Sequence, residues 1–266
     1  MRERIRGRPL AAFYLLLLTL TWPIMFVAGG RALTYVALSL LGPSVCALLI
    51  VGLSAGRGAV RTLMRRVLQW RAPLWAWIYA VVGNGLLVTG GAIGAVYLSG
   101  GGDLDWQIVP LVVTVAVNLV LLTIGAGLTE ELGWRGLALP RLQERFGPVL
   151  ASIVVGVLWA VWHYPLHIAR DGGLTPSLFW FTLGVVGASF AYTWLHNASG
   201  GSLLLVIMLH AGENGWTGQA LTMLVEDQHG IAFTARQLAA VVIAVVLVLA
   251  TRGALGRGTT SQPVAR

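Results

Sequence analysis

The stretch Leu128-Thr129-Glu130-Glu131-Leu132-Gly133-Trp134-Arg135 decides how this chain is interpreted. It follows an apolar run, residues 108–128, in which only three residues are polar. Two carboxylates and a guanidinium therefore lie at or inside one end of a predicted membrane helix. Ionisable groups are costly in hydrocarbon, so their presence there indicates a functional site. The alternative is that they mark a solvated helix end, where charged side chains are common.

Helix geometry predicts different roles for the two glutamates. Glu131 and Arg135 are four residues apart, so they share a helix face in the favourable order for an ion pair. Glu130 points about 100° away from that face, given about 3.6 residues per turn. We therefore expect Arg135 to hold Glu131, while Glu130 remains available for chemistry.

The composition predicts an all-α fold, a polytopic membrane helix bundle. Of the 266 residues, 57% are hydrophobic and 11% are charged, whereas soluble domains carry about 25% charged residues. The net charge of +8 comes from arginine alone, and the arginines flank apolar stretches. This pattern is typical of membrane topology, so we expect the lipid bilayer as a partner and no nucleic acid. The single cysteine, Cys46, excludes an intramolecular disulfide framework.

Eight apolar stretches are long enough to be transmembrane helices. They lie at about 10–28, 32–53, 74–98, 106–128, 148–169, 177–195, 202–225 and 232–250. Residues 56–71 carry five arginines and apolar residues at helical spacing, which predicts a short amphipathic helix on the membrane surface. Residues 137–146 are predicted to be an interfacial helix or loop. The polar tail, 251–266, is predicted to be disordered.

The distribution of arginines predicts the orientation of the bundle. Fifteen arginines fall on the side of the N-terminus, and three, Arg31, Arg170 and Arg236, fall on the other side. Positively charged residues accumulate on the cytoplasmic side of membrane proteins. We therefore expect a multi-pass protein of the plasma membrane with both termini in the cytoplasm.

Three more polar side chains lie within other predicted membrane helices. His163 is in the fifth, while His210 and Asn214 share one face of the seventh. A lone histidine in an apolar helix is more often a hydrogen-bonded core residue than a catalyst. Together with Glu130, however, these residues are predicted to converge in one wet cavity, because unpaired polar groups are expensive there. His196 falls in a predicted loop, where we expect it to be solvated.

Two kinds of chemistry fit this set. Glu130, His163 and His210 could hold Zn²⁺ or another divalent metal and leave one position open for water. Alternatively, Glu130 is a general base that activates water without a metal, and a His or Asn side chain stabilises an oxyanion. The zinc signature His-Glu-x-x-His is absent. His167 is a weaker metal candidate, because Pro165 lies between it and His163 and disfavours a continuous helix.

These motifs resemble the CAAX-protease and bacteriocin-processing family of intramembrane proteases, also called CPBP or Abi. The family pattern is Glu-Glu-x-x-x-Arg, Phe-x-x-x-His and His-x-x-x-Asn or Asp, on three membrane helices. The matching residues here are Glu130, Glu131, Arg135, His163, His210 and Asn214. Trp159 occupies the usual Phe position, and it is also aromatic.

The resemblance implies hydrolysis of a peptide bond in a membrane-associated protein or peptide. Glu130 and His163 would activate water, directly or through a metal. His210 and Asn214 would stabilise the oxyanion, or His210 would share the metal. In eukaryotic members of the family the substrate is a prenylated C-terminal peptide.

The resemblance also divides the chain into three parts. Residues 1–105 hold the N-terminal transmembrane helices and the amphipathic segment, 106–215 the protease core, and 216–266 the last transmembrane helix and the polar cytoplasmic tail. Two other classes remain open. Intramembrane acids and imidazoles also serve proton-coupled transporters, although no matching interrupted halves indicate an inverted repeat. A non-catalytic scaffold or bacteriocin-immunity protein could use the same fold.

Overall fold

The computed structural model describes residues 2–28, 38, 40–100, 108–221 and 229–258. Every regular element in these ranges is a helix, which confirms the predicted all-α class. The helices are α1 (Arg2–Gly7), α2 (Pro9–Ala28), α3 (Pro43–Val67), α4 (Leu74–Leu98), α5 (Ile108–Leu122), α6 (Leu128–Glu131), α7 (Leu139–Asp171), α8 (Pro176–Ala198), α9 (Leu203–Glu213) and α10 (His229–Ala250). Four π-helical segments lie within or between them, at Tyr79–Gly83, Thr123–Gly127, Leu132–Ala138 and Asn214–Ala220.

Six segments of the described ranges are long and apolar enough to cross a membrane, so the chain is a polytopic helix bundle. The predicted fourth and fifth spans belong to one run of 62 residues, Pro110–Asp171. A straight helix of that length would measure about 93 Å, roughly three times the hydrocarbon thickness. The run is instead broken by non-helical backbone at Gly125 and Gly147.

Two other predicted spans are described only in part. The second span, 32–53, is seen continuously from residue 40, because residues 29–37 and 39 lie outside the described ranges. The seventh span corresponds to α9 and the π segment Asn214–Ala220, and residues 222–225 lie outside. The amphipathic segment forms the second half of α3, beyond a kink at Gly56 where φ is +83°.

Helix α2 packs against α7 through aromatic side chains that also form hydrogen bonds. The hydroxyl of Tyr14 donates to the carbonyl of Leu158 at 2.9 Å, and the indole N–H of Trp22 donates to the carbonyl of Trp162 at 3.2 Å. Trp162 in turn donates its own indole N–H to Thr21 Oγ1 at 2.9 Å. These bonds satisfy polar groups between the two helices and hold α7, which carries His163, against α2.

The prediction that His196 is solvated in a loop is wrong. Helix α8 continues to Ala198, so His196 lies in its last turn, and the side chain is buried. His196 Nε2 lies 2.5 Å from Arg66 Nη2, and Arg66 Nε donates to the carbonyl of Gly201 at 2.9 Å. Arg66 therefore joins the end of α3 to the connection between α8 and α9.

The prediction of a disordered tail is wrong for residues 251–258. Leu255 is fully buried, and its carbonyl accepts from Asn197 Nδ2 at 2.9 Å. Arg257 Nη1 donates to the carbonyl of Gln143 at 2.8 Å. This part of the tail packs on the ends of α7 and α8, and residues 259–266 lie outside the described ranges. Residues 137–146, predicted to be an interfacial helix or loop, are helical, with residues 137–139, 142 and 143 buried and residues 144–146 exposed.

Candidate active site

Glu130 and Glu131 lie in α6, a single helical turn between the π segments Thr123–Gly127 and Leu132–Ala138. Such segments are frequent at functional sites. They also change the backbone hydrogen-bond pattern. The side chain of Ser44 forms two hydrogen bonds with the backbone of this turn. Its hydroxyl donates to the carbonyl of Leu128 at 2.7 Å and accepts from the backbone N–H of the residue after Glu131 at 3.3 Å.

A glycine permits the close approach of α3 to this turn. A Cβ atom added at Gly133 would lie 2.6 Å from Pro43 Cβ, closer than real Cβ contacts allow. Pro43 is the first residue of α3 and precedes Ser44. Gly133, within the motif, therefore allows the start of α3 to support the glutamate turn.

The predicted ion pair between Glu131 and Arg135 is present and fully buried. Arg135 Nη1 donates to both carboxylate oxygens of Glu131, at 3.0 and 3.1 Å, and neither side chain is exposed. The guanidinium also lies between two aromatic rings, 4.4 Å from the ring centre of Trp159 and 4.2 Å from that of Tyr192. Cation–π contacts of this kind are worth about 2 kcal/mol or more when they are desolvated.

Glu131 connects this ion pair to His210. The Glu131 Oε1 atom lies 2.7 Å from His210 Nδ1, so the imidazole N–H at Nδ1 donates to the carboxylate. The His210 ring also contacts the edges or faces of Trp159 and Tyr192. His210 is thereby fixed on three sides, and its other ring nitrogen, Nε2, is left to act on a ligand.

Glu130 is directed away from the ion pair, as its helical position predicts. Its Oε2 atom accepts from the indole N–H of Trp159 at 2.8 Å, and its Oε1 atom lies 4.0 Å from His163 Nε2. His163 Nδ1 lies 3.1 Å from the carbonyl of Trp159 and donates to it, which leaves Nε2 as an acceptor. The gap between Glu130 and His163 is too wide for a direct hydrogen bond and suits a bridging water.

Four of the predicted site residues line one cavity of about 750 Å³. They are Glu130, His163, His210 and Asn214. Among the described residues, Glu131 and Arg135 do not belong to the lining, since both are fully buried behind it. The site therefore has two layers. The four side chains that could react face the cavity, and the Glu131–Arg135 ion pair supports His210 from behind.

His167 also lines the cavity, but its partners are not the other site residues. Helix α7 continues through Pro165 without a break, so the predicted interruption is absent. The His167 ring stacks on Phe181 with centroids 3.9 Å apart, and its Nδ1 atom accepts from Arg170 Nη2 at 2.9 Å. His167 therefore belongs to the rim of the cavity near Arg170, whose side chain is 59% exposed.

The predicted metal ligands, Glu130, His163 and His210, all line the cavity. In the part of the chain that the structure describes, no three His, Cys, Asp or Glu side chains are grouped so that they could hold a metal ion. His163 and His210 each engage Nδ1 in a hydrogen bond, and only Nε2 of each could coordinate. Metal binding by Glu130, His163 and His210 therefore stays a prediction.

Trp159 and Tyr192 are site residues that the motifs did not reveal. The motif predicts only an aromatic ring at Trp159, yet its indole N–H donates to Glu130 Oε2. The signal was present, because tryptophan carries an N–H donor that phenylalanine lacks. Tyr192 lies in α8, outside every motif, and nothing in the sequence pattern singles it out.

Comparisons with known proteins cover the same part of the chain. Residues 112–216 match the family described as type II CAAX prenyl endopeptidase, Rce1-like. The chain is also similar to a CAAX prenyl protease 2 of Methanococcus maripaludis, with 32% identity over 128 residues, which is 46% of this chain and 44% of that protein. The chain thus matches less than half the length of this curated relative. These matches confirm the resemblance to the CAAX-protease family that the motifs predict.

Proposed function

We propose that this multi-pass membrane protein, whose residues 112–216 resemble the Rce1-like CAAX prenyl endopeptidases, is an intramembrane endopeptidase. One observation carries the proposal. Glu130 and His163 face each other across 4.0 Å in a cavity that is also lined by His210 and Asn214. A carboxylate, an imidazole acceptor and two further polar side chains are the groups that water-mediated peptide hydrolysis needs.

The first step is the activation of water between Glu130 and His163. A water molecule in this gap donates one hydrogen bond to Glu130 Oε1 and the other to His163 Nε2, so a lone pair points at the substrate. Its oxygen attacks the carbonyl carbon of the peptide bond while Glu130 takes the proton. The bond from Trp159 holds the Glu130 carboxylate in place during this transfer.

The tetrahedral intermediate carries an oxyanion that His210 and Asn214 stabilise. The Asn214 amide donates one hydrogen bond. His210 donates a second through Nε2 while Nδ1 donates to Glu131, which requires a proton on both ring nitrogens. Removing one donor of this kind typically lowers kcat by about 10²–10³-fold. The C–N bond then breaks, and Glu130 returns its proton to the leaving amine.

Glu131 and Arg135 are positioning residues in this proposal. Glu131 fixes the ring of His210, and Arg135 neutralises Glu131 within the buried layer behind the cavity. Neither side chain needs to touch the substrate. Their role is to keep the oxyanion donor in one orientation, which is how a supporting layer contributes to catalysis.

The substrate is proposed to be a membrane-associated peptide or protein. The curated relative is named a CAAX prenyl protease, so a peptide with a prenylated cysteine near its C-terminus is the first substrate to test. Both termini are proposed to be cytoplasmic, because fifteen of the eighteen arginines fall on their side.

Purified protein in detergent, mixed with quenched fluorescent peptides, tests the proposal. One set carries a prenylated cysteine and a second set carries an unmodified one. We expect cleavage by the wild type and none by Glu130→Gln prepared in the same way. Absence of cleavage in both sets, with well-folded protein, would favour a scaffold or a transporter.

A further inference from the structure

Helix α10 places two donor side chains at the same cavity, outside every motif and outside the segment that matches the family. Arg236 and Gln237 both line the cavity that holds Glu130 and His163. Neither has a part in the hydrolysis described above. Two adjacent residues with hydrogen-bond donors at a water-accessible membrane cavity call for an explanation of what they bind.

Gln237 has a buried donor without a partner in the described part of the chain. The side chain is only 3% exposed, and its Nε2 atom makes no hydrogen bond there. Leaving such a group unsatisfied destabilises a protein by about 1–3 kcal/mol. An apolar residue of similar size would remove this penalty, so the amide is explained best by a ligand that accepts its hydrogen bond.

The fold holds Gln237 in this position through Gly184 of α8. A Cβ atom added at Gly184 would lie 1.8 Å from Gln237 Oε1, so a larger residue there would force the amide to move. Gly184 lines the cavity as well. Gly184 therefore leaves room for the amide of Gln237 in its observed position.

Arg236 brings a positive charge to the same place. Its Nη1 atom donates to the carbonyl of Thr217 at 3.3 Å, and Arg236 takes part in none of the ion pairs within the described ranges. The neighbouring carboxylate, Glu213, also lines the cavity and accepts from Asn84 Nδ2 at 3.2 Å. Arg236 interacts electrostatically with Glu213 but forms no close ion pair among the described residues, so its planar donors can still bind a carboxylate.

We propose that Arg236 and Gln237 form a subsite that binds a carboxylate of the substrate peptide while the scissile bond lies at Glu130. The proposal rests on the endopeptidase function proposed above and adds a requirement on the substrate. The carboxylate is either the C-terminus of the peptide or an acidic side chain. In both cases Arg236 supplies the charge, and the Gln237 amide donates to an oxygen.

Three versions of the same quenched peptide library test this subsite. The first ends in a free carboxylate, the second in a carboxamide, and the third in a carboxamide with one added Asp or Glu. The wild type is expected to cleave acid-ended peptides with a kcat/KM roughly 10- to 100-fold above the amide version, mainly through KM. Recovery in the third version assigns the carboxylate to a side chain, and no recovery assigns it to the C-terminus.

Variants of Arg236 and Gln237 show whether these two residues cause the preference for acid-ended peptides. Arg236→Gln should reduce the ratio of acid to amide cleavage to near one, and Gln237→Leu should reduce it in part. Gln237→Leu should also keep or raise the melting temperature, because it removes the unsatisfied donor. Arg61→Gln, an exposed arginine on α3, is the matched control and should keep the wild-type ratio. A ratio near one in the wild type, or an unchanged ratio in Arg236→Gln, overturns the subsite.

A binding measurement separates this proposal from the protease proposal. Glu130→Gln protein should be stabilised against heat more by acid-ended than by amide-ended peptides, and Arg236→Gln in that background should abolish the difference. Equal cleavage of acid-ended and amide-ended peptides by the wild type would support the protease proposal and contradict the subsite. If the wild type cleaves nothing, the protease proposal fails, and a lack of selective stabilisation then removes the subsite as well.

Discussion

The indole N–H of Trp159 donates to Glu130 Oε2 at 2.8 Å, while the face of the same indole lies 4.4 Å from the guanidinium carbon of Arg135. One side chain thus contacts both the proposed general base and the buried ion pair behind it. A phenylalanine at this position would keep the ring but lose the donor. The exchange of Phe for Trp in the motif therefore changes how Glu130 is held.

Trp159→Phe tests this positioning role. We expect kcat to fall roughly tenfold, because a hydrogen bond to a charged group is lost, while KM and the melting temperature change little. Peptide cleavage kinetics and thermal unfolding in detergent measure the two effects. Trp77→Phe is the control, since that indole donates to the backbone carbonyl of Trp70 and neither residue lines the cavity. An unchanged kcat in Trp159→Phe would mean that Glu130 needs no support from the indole.

Arg135→Ala is expected to destabilise the protein as well as inactivate it. Removing one partner of a buried ion pair leaves an uncompensated charge and costs about 3–5 kcal/mol. Loss of the cation–π contacts that Arg135 makes with the rings of Trp159 and Tyr192 adds to that cost. Yield from membranes and the unfolding temperature should both fall, whereas Arg145→Ala, at an exposed site in the next helix, should behave as the wild type. A stable and active Arg135→Ala protein contradicts the supporting role of the pair.

The orientation in the membrane is predicted from the arginine distribution. A reporter fused at Asp103 should report the side opposite to the cytoplasm, and one fused at the C-terminus should report the cytoplasm. Paired fusions of a periplasmic-active and a cytoplasmic-active reporter measure this. The same signal at both positions would contradict the predicted orientation and the predicted number of spans between Asp103 and the C-terminus.

Metal dependence separates the two versions of the chemistry. If Glu130 activates water without a metal, cleavage should continue in the presence of chelators, and elemental analysis should find far less than one metal per chain. If Zn²⁺ is instead held by Glu130, His163 and His210, chelation should silence the enzyme, and added zinc should restore it. The second result would require the three side chains to rearrange on binding.

The sequence predicted the parts of the site that follow from local geometry. The spacing of Glu131 and Arg135 was sufficient for their ion pair, although the backbone after Glu131 is π-helical rather than α-helical. The shared cavity followed from the cost of isolated polar groups in hydrocarbon. Contacts between distant segments were not predictable in this way, because helical periodicity gives no information about which helices are neighbours. The bond from Trp159 to Glu130 is of this kind.

Errors in the sequence prediction came mainly from the ends of helices. A span that was expected to end at residue 195 continues to Ala198, which moved His196 from a solvated loop into a buried contact with Arg66. Hydropathy marks where an apolar run ends, but polar residues can continue a helix when they find partners. Arg236 and Gln237 were overlooked for a related reason, since a polar pair in the last helix resembles ordinary interfacial residues.

The activity of Glu130→Gln is the most direct measurement of the central claim. The substitution keeps the size of the side chain and an acceptor for Trp159, but it removes the base. We expect cleavage to fall by about 10²–10⁴-fold with the melting temperature unchanged, and combining it with His163→Ala to add little, because residues that act as one unit are not additive. A Glu130→Gln protein that folds and cleaves peptides at the wild-type rate would contradict the mechanism.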